Sequence, residues 1–449
     1  MFTSQSRSRR HRRTASAVSL TAVLALTVAA CGDDGSSASG GGEEGSGKGE
    51  ITFWDNNGGV RTDVWRVIIN DFQKENPGIK VKYVGIPAES VQSKYDTAIQ
   101  GGGLPDVGGV GGAMLAGIAA QGALEPLDKR ISGSSLDGKL NPVMSKSVKS
   151  SGGGEHMYTV PTSANNGTLW YRTDLFKKAG LDAPTTWPKF YDAAGKLTDK
   201  GDNKFGYTIR GGEGSIAQAL DAMYGQSGIT SFWNGDKATV NDPKNVAALE
   251  KYVGLYKKTT PSADVNNDFK KMVAQWDSGQ IGMLSHNLGS YQDHVKALGG
   301  PEKFRGIPNP TLADGTRVQV SNPIDGLGLF KASKKKKAAW KFIEFAASHK
   351  ANSRWNESAG AIPANVDAAK DGWIKKSEST DLAAQALSDG KIKIVELPYY
   401  LPDWNTISKA DNEPNFQKVL LGKMTAKDFL DTLAEQLNEA QAEWKEQKK

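Results

Sequence analysis

Residues 50–59 read EITFWDNNGG, a run of strand-forming side chains that ends in a polar, glycine-containing turn. Apolar side chains at helical spacing follow over residues 64–72, and residues 79–84, IKVKYV, alternate as a second strand. Another helical stretch at residues 91–99 precedes LPDV at residues 104–107, which we interpret as a short buried strand. The order strand, helix, strand, helix, strand predicts a parallel sheet covered by helices on both faces.

The loops after these strands are where a ligand is expected. In open α/β sheets, ligands bind beyond the carboxyl ends of the strands. Residues 55–58 and 108–112 follow two of the predicted strands, and both loops are rich in Asn or Gly. We therefore expect both loops to face a binding site.

The rest of the chain continues the alternation of strands and helices, and no repeat of about 20–50 residues interrupts it. The later strands and helices are predicted from the same periodicities. Strands are expected at residues 168–171, 281–284 and 326–330, and helices at residues 190–197, 246–256, 338–347 and 429–444.

The N-terminus has the composition of an export signal. Five arginines precede sixteen uncharged residues, 15–30, a run that is short for a membrane span and fits a signal peptide over residues 1–30. The Arg12-Arg13 pair leaves the export route open between the general secretory and the twin-arginine systems.

A single cysteine follows the apolar run. Residues 28–31, VAAC, resemble the bacterial lipobox, so Cys31 is expected to be diacylated and to anchor the protein to a membrane. A lone cysteine also leaves the fold without an internal disulfide. Residues 32–49 contain only Gly, Ser, Ala, Asp, Glu and Lys. We therefore predict that residues 31–49, with the lipidated cysteine, form a flexible tether.

Composition and charge exclude several classes of protein. The chain has 449 residues, of which 38% are hydrophobic, with 11 Trp, so it can build large cores and is not globally disordered. The net charge of +6 belongs to the leader, because the residues after position 30 carry 51 basic against 50 acidic groups. A near-neutral mature chain argues against nucleic acid, polyamines and strongly anionic ligands.

A series of segments runs in order along nearly the whole of residues 50–449. The segments are ITFW (51–54), NPGIKV (76–81), LPDV (104–107), QGALEPLD (121–128), YTVP (158–161), LWYRTDLFKKAGL (169–181), SGQIGM (278–283), AAWKFI (338–343) and GAIPA (360–364). Together they resemble the carbohydrate-type (family 1) extracellular solute-binding proteins of ABC transporters, the family of maltose-binding protein.

The resemblance implies an α/β, two-lobed periplasmic-binding-protein-like fold of type II, with a ligand cleft between lobes that are joined by hinge segments. The chain is expected to cross between the lobes after residues 158–161 and again near residues 307–310. The N-terminal lobe would then consist of residues 50–162 and 310–366, and the C-terminal lobe of residues 163–309 and 367–449.

The same resemblance implies a receptor that performs no catalysis and needs no cofactor. Its expected ligand is a di- or oligosaccharide such as xylobiose, cellobiose or chitobiose. Its expected partners are the transmembrane subunits of an ABC permease, and the protein is expected to be a monomer on the outer face of the cell membrane. The alternatives are a binder of a non-sugar solute on the same scaffold and a secreted carbohydrate-active enzyme.

Candidate ligand contacts in the first lobe are polar side chains at strand ends, since a sugar offers hydroxyl groups that donate and accept hydrogen bonds. By resemblance, Asp55, Asn56 and Asn57 reach the cleft where the first strand opens into a loop, although a turn alone would also explain them. Asn165 and its neighbour Asn166 match a position at which a polar side chain meets the sugar.

Two further candidates come from loops. Gly111 lies in the glycine-rich loop 108–112, where glycines would let backbone amides approach a ligand. The loop lacks the spacing of a phosphate-binding motif, which excludes a nucleotide site. Asp325 precedes the strand at residues 326–330, where its carboxylate would accept two adjacent sugar hydroxyls or, alternatively, cap the turn.

The second lobe supplies the remaining candidates. His286 and Asn287 follow the strand at residues 281–284, where a neutral imidazole can donate to a hydroxyl or simply lie at the hinge. Glu213 and Trp233 lie in loops of this lobe, and Trp404 matches an aromatic residue that stacks on sugars in related proteins.

The sequence contains no motif that indicates a catalytic site or a metal site. The sequence contains neither HExxH nor GxSxG, and its five histidines are scattered. A glycosidase needs two carboxylates across a cleft, and no spacing singles out such a pair. Residues 199–206 lack the glutamate that a calcium loop requires. We expect no metal site.

Overall fold

The computed structural model describes residues 44–59, 61–165, 167–388 and 392–448. The predicted signal peptide, Cys31, most of the predicted tether and Asn166 lie outside these residues. The described chain belongs to one compact unit. No helix in these ranges combines the length and the apolar character of a membrane span.

The first lobe is built around a mixed sheet that contains the N-terminal strand. In the described chain this sheet has six strands. In spatial order they are β13 (Ile362–Pro363), β4 (Thr159–Ala164), β12 (Asp325–Leu329), β3 (Val107–Gly109), β1 (Gly49–Asp55) and β2 (Ile79–Gly85).

The parallel prediction is confirmed for one half of this sheet and is wrong for the other. β1 pairs in parallel with β2 and β3, whereas β12 runs antiparallel to β3 and β4, and β13 runs antiparallel to β4. β12 differs because the chain enters it on returning from the second lobe. The strand predicted at residues 104–107 begins only at Val107, because Asp106 forms a bend whose carboxylate accepts from the Thr52 N–H at 2.8 Å.

The second lobe has a smaller sheet. Its central strands β5 and β9 are antiparallel, β10 is antiparallel to β5, and β6 is parallel to β9. Two short pairs accompany it, the parallel pair β11–β14 and the hairpin β7–β8. The bounds are β5 (Gly167–Arg172), β6 (Phe205–Thr208), β7 (Trp233–Asn234), β8 (Lys237–Ala238), β9 (Ile281–Asn287), β10 (Phe304–Ile307), β11 (Arg317–Val320) and β14 (Ile392–Val395).

Helices cover both sheets, and several begin at side-chain caps. Asp242 accepts from the Lys244 N–H at 2.9 Å with Pro243 in the first turn, the combination that favours a helix start. The bounds are α1 (Thr62–Glu75), α2 (Val91–Gly101), α3 (Gly112–Ala120), α4 (Asp128–Ser132), α5 (Pro142–Ser151), α6 (Thr173–Ala179), α7 (Trp187–Lys196), α8 (Ser215–Ser227), α9 (Pro243–Val253), α10 (Phe269–Asp277), α11 (Tyr291–Leu298), α12 (Lys336–Ala346), α13 (His349–Ala359), α14 (Gly372–Lys376), α15 (Glu378–Ser388), α16 (Glu413–Leu420) and α17 (Ala426–Gln447).

Aromatic side chains fill the cores on either side of the sheets. In the first lobe, Phe53 of β1 packs edge-on against Trp65 of α1 at 4.7 Å between ring centroids and against Phe342 of α12 at 5.2 Å. In the second lobe, Phe190 of α7 packs against Tyr207 of β6 at 5.0 Å. The predicted apolar stripes therefore face these cores.

The second crossing lies later in the chain than predicted. Residues 310–320 still belong to the second lobe: the Thr311 N–H donates to the Thr185 carbonyl at 2.9 Å, and Val318 and Val320 of β11 are buried in the core of that lobe. The chain enters the first-lobe sheet only at Asp325. The predicted boundary at residues 309–310 is thus too early, because the short strand β11 pairs with β14, which lies far away in sequence.

The end of the predicted tether lies against the first lobe. Glu44 pairs with Arg130 at 2.5 Å, and its carbonyl accepts from the Lys337 N–H at 3.1 Å. β1 then begins at Gly49. Residues 44–49 are therefore part of the folded unit, and the predicted tether ends earlier than residue 49.

Candidate functional site

Two sheet edges meet where the chain crosses between the lobes. The first-lobe edge is formed by the ends of β1, β3 and β4 and the beginning of β12, and the second-lobe edge by the beginning of β5 and the end of β9. Gly289, just after β9, lies against the first lobe: a Cβ on it would be 3.3 Å from Arg61 Nη2 and 3.5 Å from Asn165 Oδ1. The two edges therefore line a polar cleft.

Asn56 joins the strand ends of the first lobe. Its amide hydrogen-bonds to the carboxylate of Asp325, so it links the end of β1 to the beginning of β12. A Cβ on Gly109 would collide with Asn56 Oδ1, and one on Gly111 would be 3.2 Å from Asp325 Oδ1. The glycines of this loop thus make room for side chains of the cleft, which differs from the predicted approach of a ligand to backbone amides.

Asp325 is a partly buried carboxylate on the first-lobe edge of the cleft. Burial raises the pKa of Asp325 to about 6, although Arg61 and the hydrogen bond from Asn56 act in the opposite direction. The group is therefore mainly ionised at neutral pH and can accept hydrogen bonds from hydroxyl groups.

Asp55 has a structural role. Its carboxylate accepts from the Tyr83 hydroxyl at 2.8 Å and from the Asn57 N–H at 3.1 Å, and burial raises its pKa. Asn57 in turn donates to Asn56 Oδ1 at 3.2 Å. Both oxygens of Asp55 are thus used to hold the loop, which places Asn56 rather than Asp55 toward the cleft.

Arg61 is a cleft residue that the sequence reasoning missed. Its guanidinium lies 5.0 Å over the ring of Trp355, and its charge interacts favourably with the carboxylates of Asp325, Asp55 and the second-lobe Asp293. It directly precedes α1, and only its position in the loop after β1 could have signalled it.

The second-lobe wall of the cleft contains a cavity of about 120 Å³. His286 lies on this wall and stacks on Phe269 with 6.0 Å between ring centroids. Burial, followed by the positive charge of Arg210, lowers the pKa of His286 to about 3, so its imidazole is neutral at physiological pH. The lining residues include Thr168, Arg210, Gln218, Asp221, His286 and Asn287.

Three predicted contacts lie outside this cavity wall. The Glu213 side chain is 61% exposed and lies 3.7 Å from Lys409. Trp404 is only 4% exposed and packs in the second-lobe core between Phe232 and Tyr399, and Trp233 packs on the same Phe232. The predicted contacts that lie at the cleft are Asn56, Asn165, His286, Asn287 and Asp325, with Gly111 next to Asp325. Glu213, Trp233 and Trp404 lie elsewhere in the second lobe.

The sequence model of a family described as "Bacterial extracellular solute-binding protein" matches residues 58–353. The chain belongs to this family. The resemblance drawn from the sequence is therefore confirmed, and so is the prediction that the protein is not an enzyme, since the family consists of solute-binding proteins.

Named relatives of this solute-binding protein bind different ligands. The diacetylchitobiose binding protein DasA of Streptomyces coelicolor is 26% identical over 414 residues, which cover 89% of this chain and 90% of DasA. The sn-glycerol-3-phosphate-binding protein UgpB of Agrobacterium fabrum is 25% identical over 303 residues, covering 62% and 66% of the two chains.

A solved structure confirms the two-lobed fold. An ABC substrate-binding protein of Listeria monocytogenes in complex with cycloalternan superimposes with a TM-score of 0.75 and 25% identity, covering 88% of this chain and 99% of that one. The predicted α/β, type II architecture of this solute-binding protein is therefore correct.

Gly58→Ala is expected to disturb the cleft of the solute-binding protein through its backbone. The Gly58 N–H donates to the Ile86 carbonyl at 3.0 Å, and a Cβ would collide with the backbone of Gly85 and Ile86. We expect the free energy of unfolding to fall by about 1–3 kcal/mol. Ligand affinity should fall as well, since Asn56 lies two residues away.

Urea denaturation and calorimetry measure these two effects. Gly101→Ala in α2 is the matched control, because no atom of the described residues outside its own helical turns and chain neighbours lies within 4 Å of the added Cβ. It should raise the stability by about 0.4–1 kcal/mol. Equal stabilities of the two variants would contradict the prediction.

The stability of the solute-binding protein should depend on pH through His286. A free imidazole titrates near about pH 6.5, whereas the pKa of His286 in the fold is about 3. As the pH falls, the unfolded chain binds this proton at a higher pH than the folded chain does. The contribution of His286 to the free energy of unfolding is therefore fully present above about pH 6.5 and is lost as the pH falls below that value. When the pH is lowered from about 8 to about 5, the parent should therefore lose more stability than His286→Gln does.

Urea denaturation at several pH values tests this, with His156→Gln, at a histidine whose side chain is 46% exposed, as the control. Parallel pH profiles of the parent and His286→Gln would show that the ring is not held neutral by the fold.

Proposed function

We propose that this protein captures an uncharged disaccharide or short oligosaccharide in the interlobe cleft and delivers it to the permease of an ABC importer without changing it chemically. The composition of the cleft carries this proposal. Amides, a carboxylate and a neutral imidazole lie on its two edges, and the charge of Arg61 is offset by neighbouring carboxylates. Such a mixture of donors and acceptors suits hydroxyl groups, each of which both donates and accepts.

The ligands of the relatives support an oligosaccharide. The name of DasA specifies diacetylchitobiose, and the Listeria protein is bound to cycloalternan. Chitobiose in its uncharged, diacetylated form is therefore our first candidate, ahead of xylobiose and cellobiose.

The size of the cavity supports capture by lobe closure. Ligand pockets usually measure about 300–1,000 Å³. The cavity on the second-lobe wall, about 120 Å³, is smaller than that range. A disaccharide would therefore enter after the lobes separate at the hinge segments, and the lobes would close around it.

The cellular setting of the proposal comes from the N-terminal sequence. A signal peptide at residues 1–30 would direct export, and a diacylated Cys31 would hold the protein, as a monomer, on the outer face of the cell membrane. Palmitate labelling of the full-length protein, compared with Cys31→Ala, tests the anchor.

Titration of the mature protein with sugars tests the ligand. Tryptophan fluorescence and calorimetry should show saturable binding of one disaccharide, with diacetylchitobiose, xylobiose, cellobiose, their monosaccharides and mannitol as the panel. The same samples are analysed for hydrolysis products over several hours. If no sugar of the panel binds, the sugar assignment is contradicted and a non-sugar solute is favoured. The appearance of hydrolysis products would favour a carbohydrate-active enzyme.

A further inference from the structure

Two buried polar atoms of the cleft lack hydrogen-bond partners among the described residues. They are Nη1 of Arg61, a donor, and Oδ1 of Asn165, an acceptor. A buried polar group without a partner is costly, and it usually marks a site that something else completes. Both side chains lie beside the same backbone position, since the Cβ position of Gly289 is 3.3 Å from Nη2 of the Arg61 guanidinium, which also carries Nη1, and 3.5 Å from Asn165 Oδ1.

The charge of Arg61 is compensated from both lobes. Asp55 at the end of β1, Asp325 at the beginning of β12 and Asp293 on α11 of the second lobe all act on the guanidinium. The guanidinium also forms a cation–π contact with the ring of Trp355 on α13. Arg61 thus offers directed N–H donors with no surplus positive charge around it.

We propose that Arg61 and Asn165 bind one and the same hydroxyl group of the ligand, and that the carboxylates around Arg61 make the cleft select uncharged over anionic ligands. A hydroxyl oxygen accepts from Arg61 Nη1, and its hydrogen donates to Asn165 Oδ1, so one group satisfies both atoms. A carboxylate or a fully ionised phosphate group has no hydrogen for Asn165 and would be repelled by Asp325. This inference rests on the proposed function and identifies its class of ligand.

Substitutions separate the directed hydrogen bond from the charge. We expect Arg61→Leu to weaken binding of the disaccharide by about 10- to 100-fold, the loss typical of a hydrogen bond to a charged group. Arg61→Lys keeps the positive charge but not the planar arrangement of guanidinium N–H donors, and its affinity for the disaccharide should also fall by about 10-fold. Asn165→Ala should act on the same hydroxyl, so the double variant Arg61→Leu/Asn165→Ala should lose less than the product of the single losses.

A deoxy-sugar series identifies the hydroxyl group. For the parent protein, one deoxy analogue should have a lower affinity than the intact sugar. For Arg61→Leu, this analogue and the intact sugar should have equal affinities. Arg66→Leu is the matched control, since this arginine is 68% exposed and pairs only with the surface residue Asp63 at 3.3 Å among the described residues. Circular dichroism and thermal unfolding confirm that each variant is folded.

Glycerol 3-phosphate is the anionic probe, because one relative is named for it. The parent should prefer the disaccharide, and Asp325→Asn should shift the ratio of the two affinities toward the phosphate by about 10-fold. The inference is overturned if Arg61→Leu and Asn165→Ala bind the sugar as the parent does, or if the parent binds the phosphate as tightly as the sugar. A parent that binds no sugar at all would instead overturn the proposed function, and this inference with it.

Discussion

Trp404→Ala is expected to lower the free energy of unfolding by about 3–5 kcal/mol, the cost of truncating a buried aromatic side chain. The ring is 4% exposed and packs edge-on against Tyr399 at 5.8 Å and Phe232 at 6.5 Å between ring centroids. Truncation would leave a cavity in the second-lobe core that rigid neighbours fill only in part. The folded fraction of the variant should still bind the sugar as the parent does.

Urea denaturation and calorimetry at a temperature where the variant is folded separate these two effects. Trp404→Phe is the matched control, since it retains an aromatic ring and should lose much less stability. Normal stability with lost sugar binding would contradict the core assignment and support the stacking role that the resemblance implied.

Asp221→Ala is expected to lower the free energy of unfolding by about 2–4 kcal/mol, because it leaves two buried donors without an acceptor. Asp221 accepts from Asn309 Nδ2 at 2.8 Å and from the Val320 N–H at 2.9 Å. It therefore ties both ends of the segment that leads back to the first lobe. Burial raises the pKa of Asp221 to about 6, and the hydrogen bonds from Asn309 and Val320 act in the opposite direction by stabilising the ionised carboxylate.

Denaturation measures the total loss, and amide hydrogen exchange shows where it occurs. The Val320 amide should exchange faster in Asp221→Ala than in the parent. Asp192→Ala is the control, because Asp192 on α7 is 52% exposed and, within the described part of the chain, forms only a surface pair with Lys196. That pair should contribute at most about 1 kcal/mol. Unchanged exchange at Val320 would show that Asp221 does not hold this segment.

Local patterns in the sequence predicted the elements well. The strand at residues 50–55, the helix over residues 64–72 and the strand at residues 79–84 all occur, with bounds shifted by a few residues. The reason is that one-sided burial imposes a period on each element, and Trp65 and Phe72 of α1 indeed face the core. The segments that resembled a family could be recognised for the same reason, because they combine such periods with turn residues.

The candidate site was predicted only in part. Asn56, Asn165, His286, Asn287 and Asp325 follow or precede strands, so the rule that ligands gather at strand ends located them. Arg61 was not predicted, and Trp404, predicted to stack on the sugar, packs in the second-lobe core. Whether a side chain points into the cleft or into a core depends on neighbours such as Trp355 and Phe232, which lie far away in sequence.

The sequence by itself determined the family, the alternation of strands and helices and the near-neutral charge of the residues after position 30, and it predicts an export leader. These properties depend on composition and on spacing between neighbours along the chain. Only the tertiary structure decided the antiparallel direction of β12, the late second crossing at Asp325 and the position of Arg61 among three carboxylates. The physical reason is that strand pairing and charge compensation join residues hundreds of positions apart, and no local period encodes such contacts.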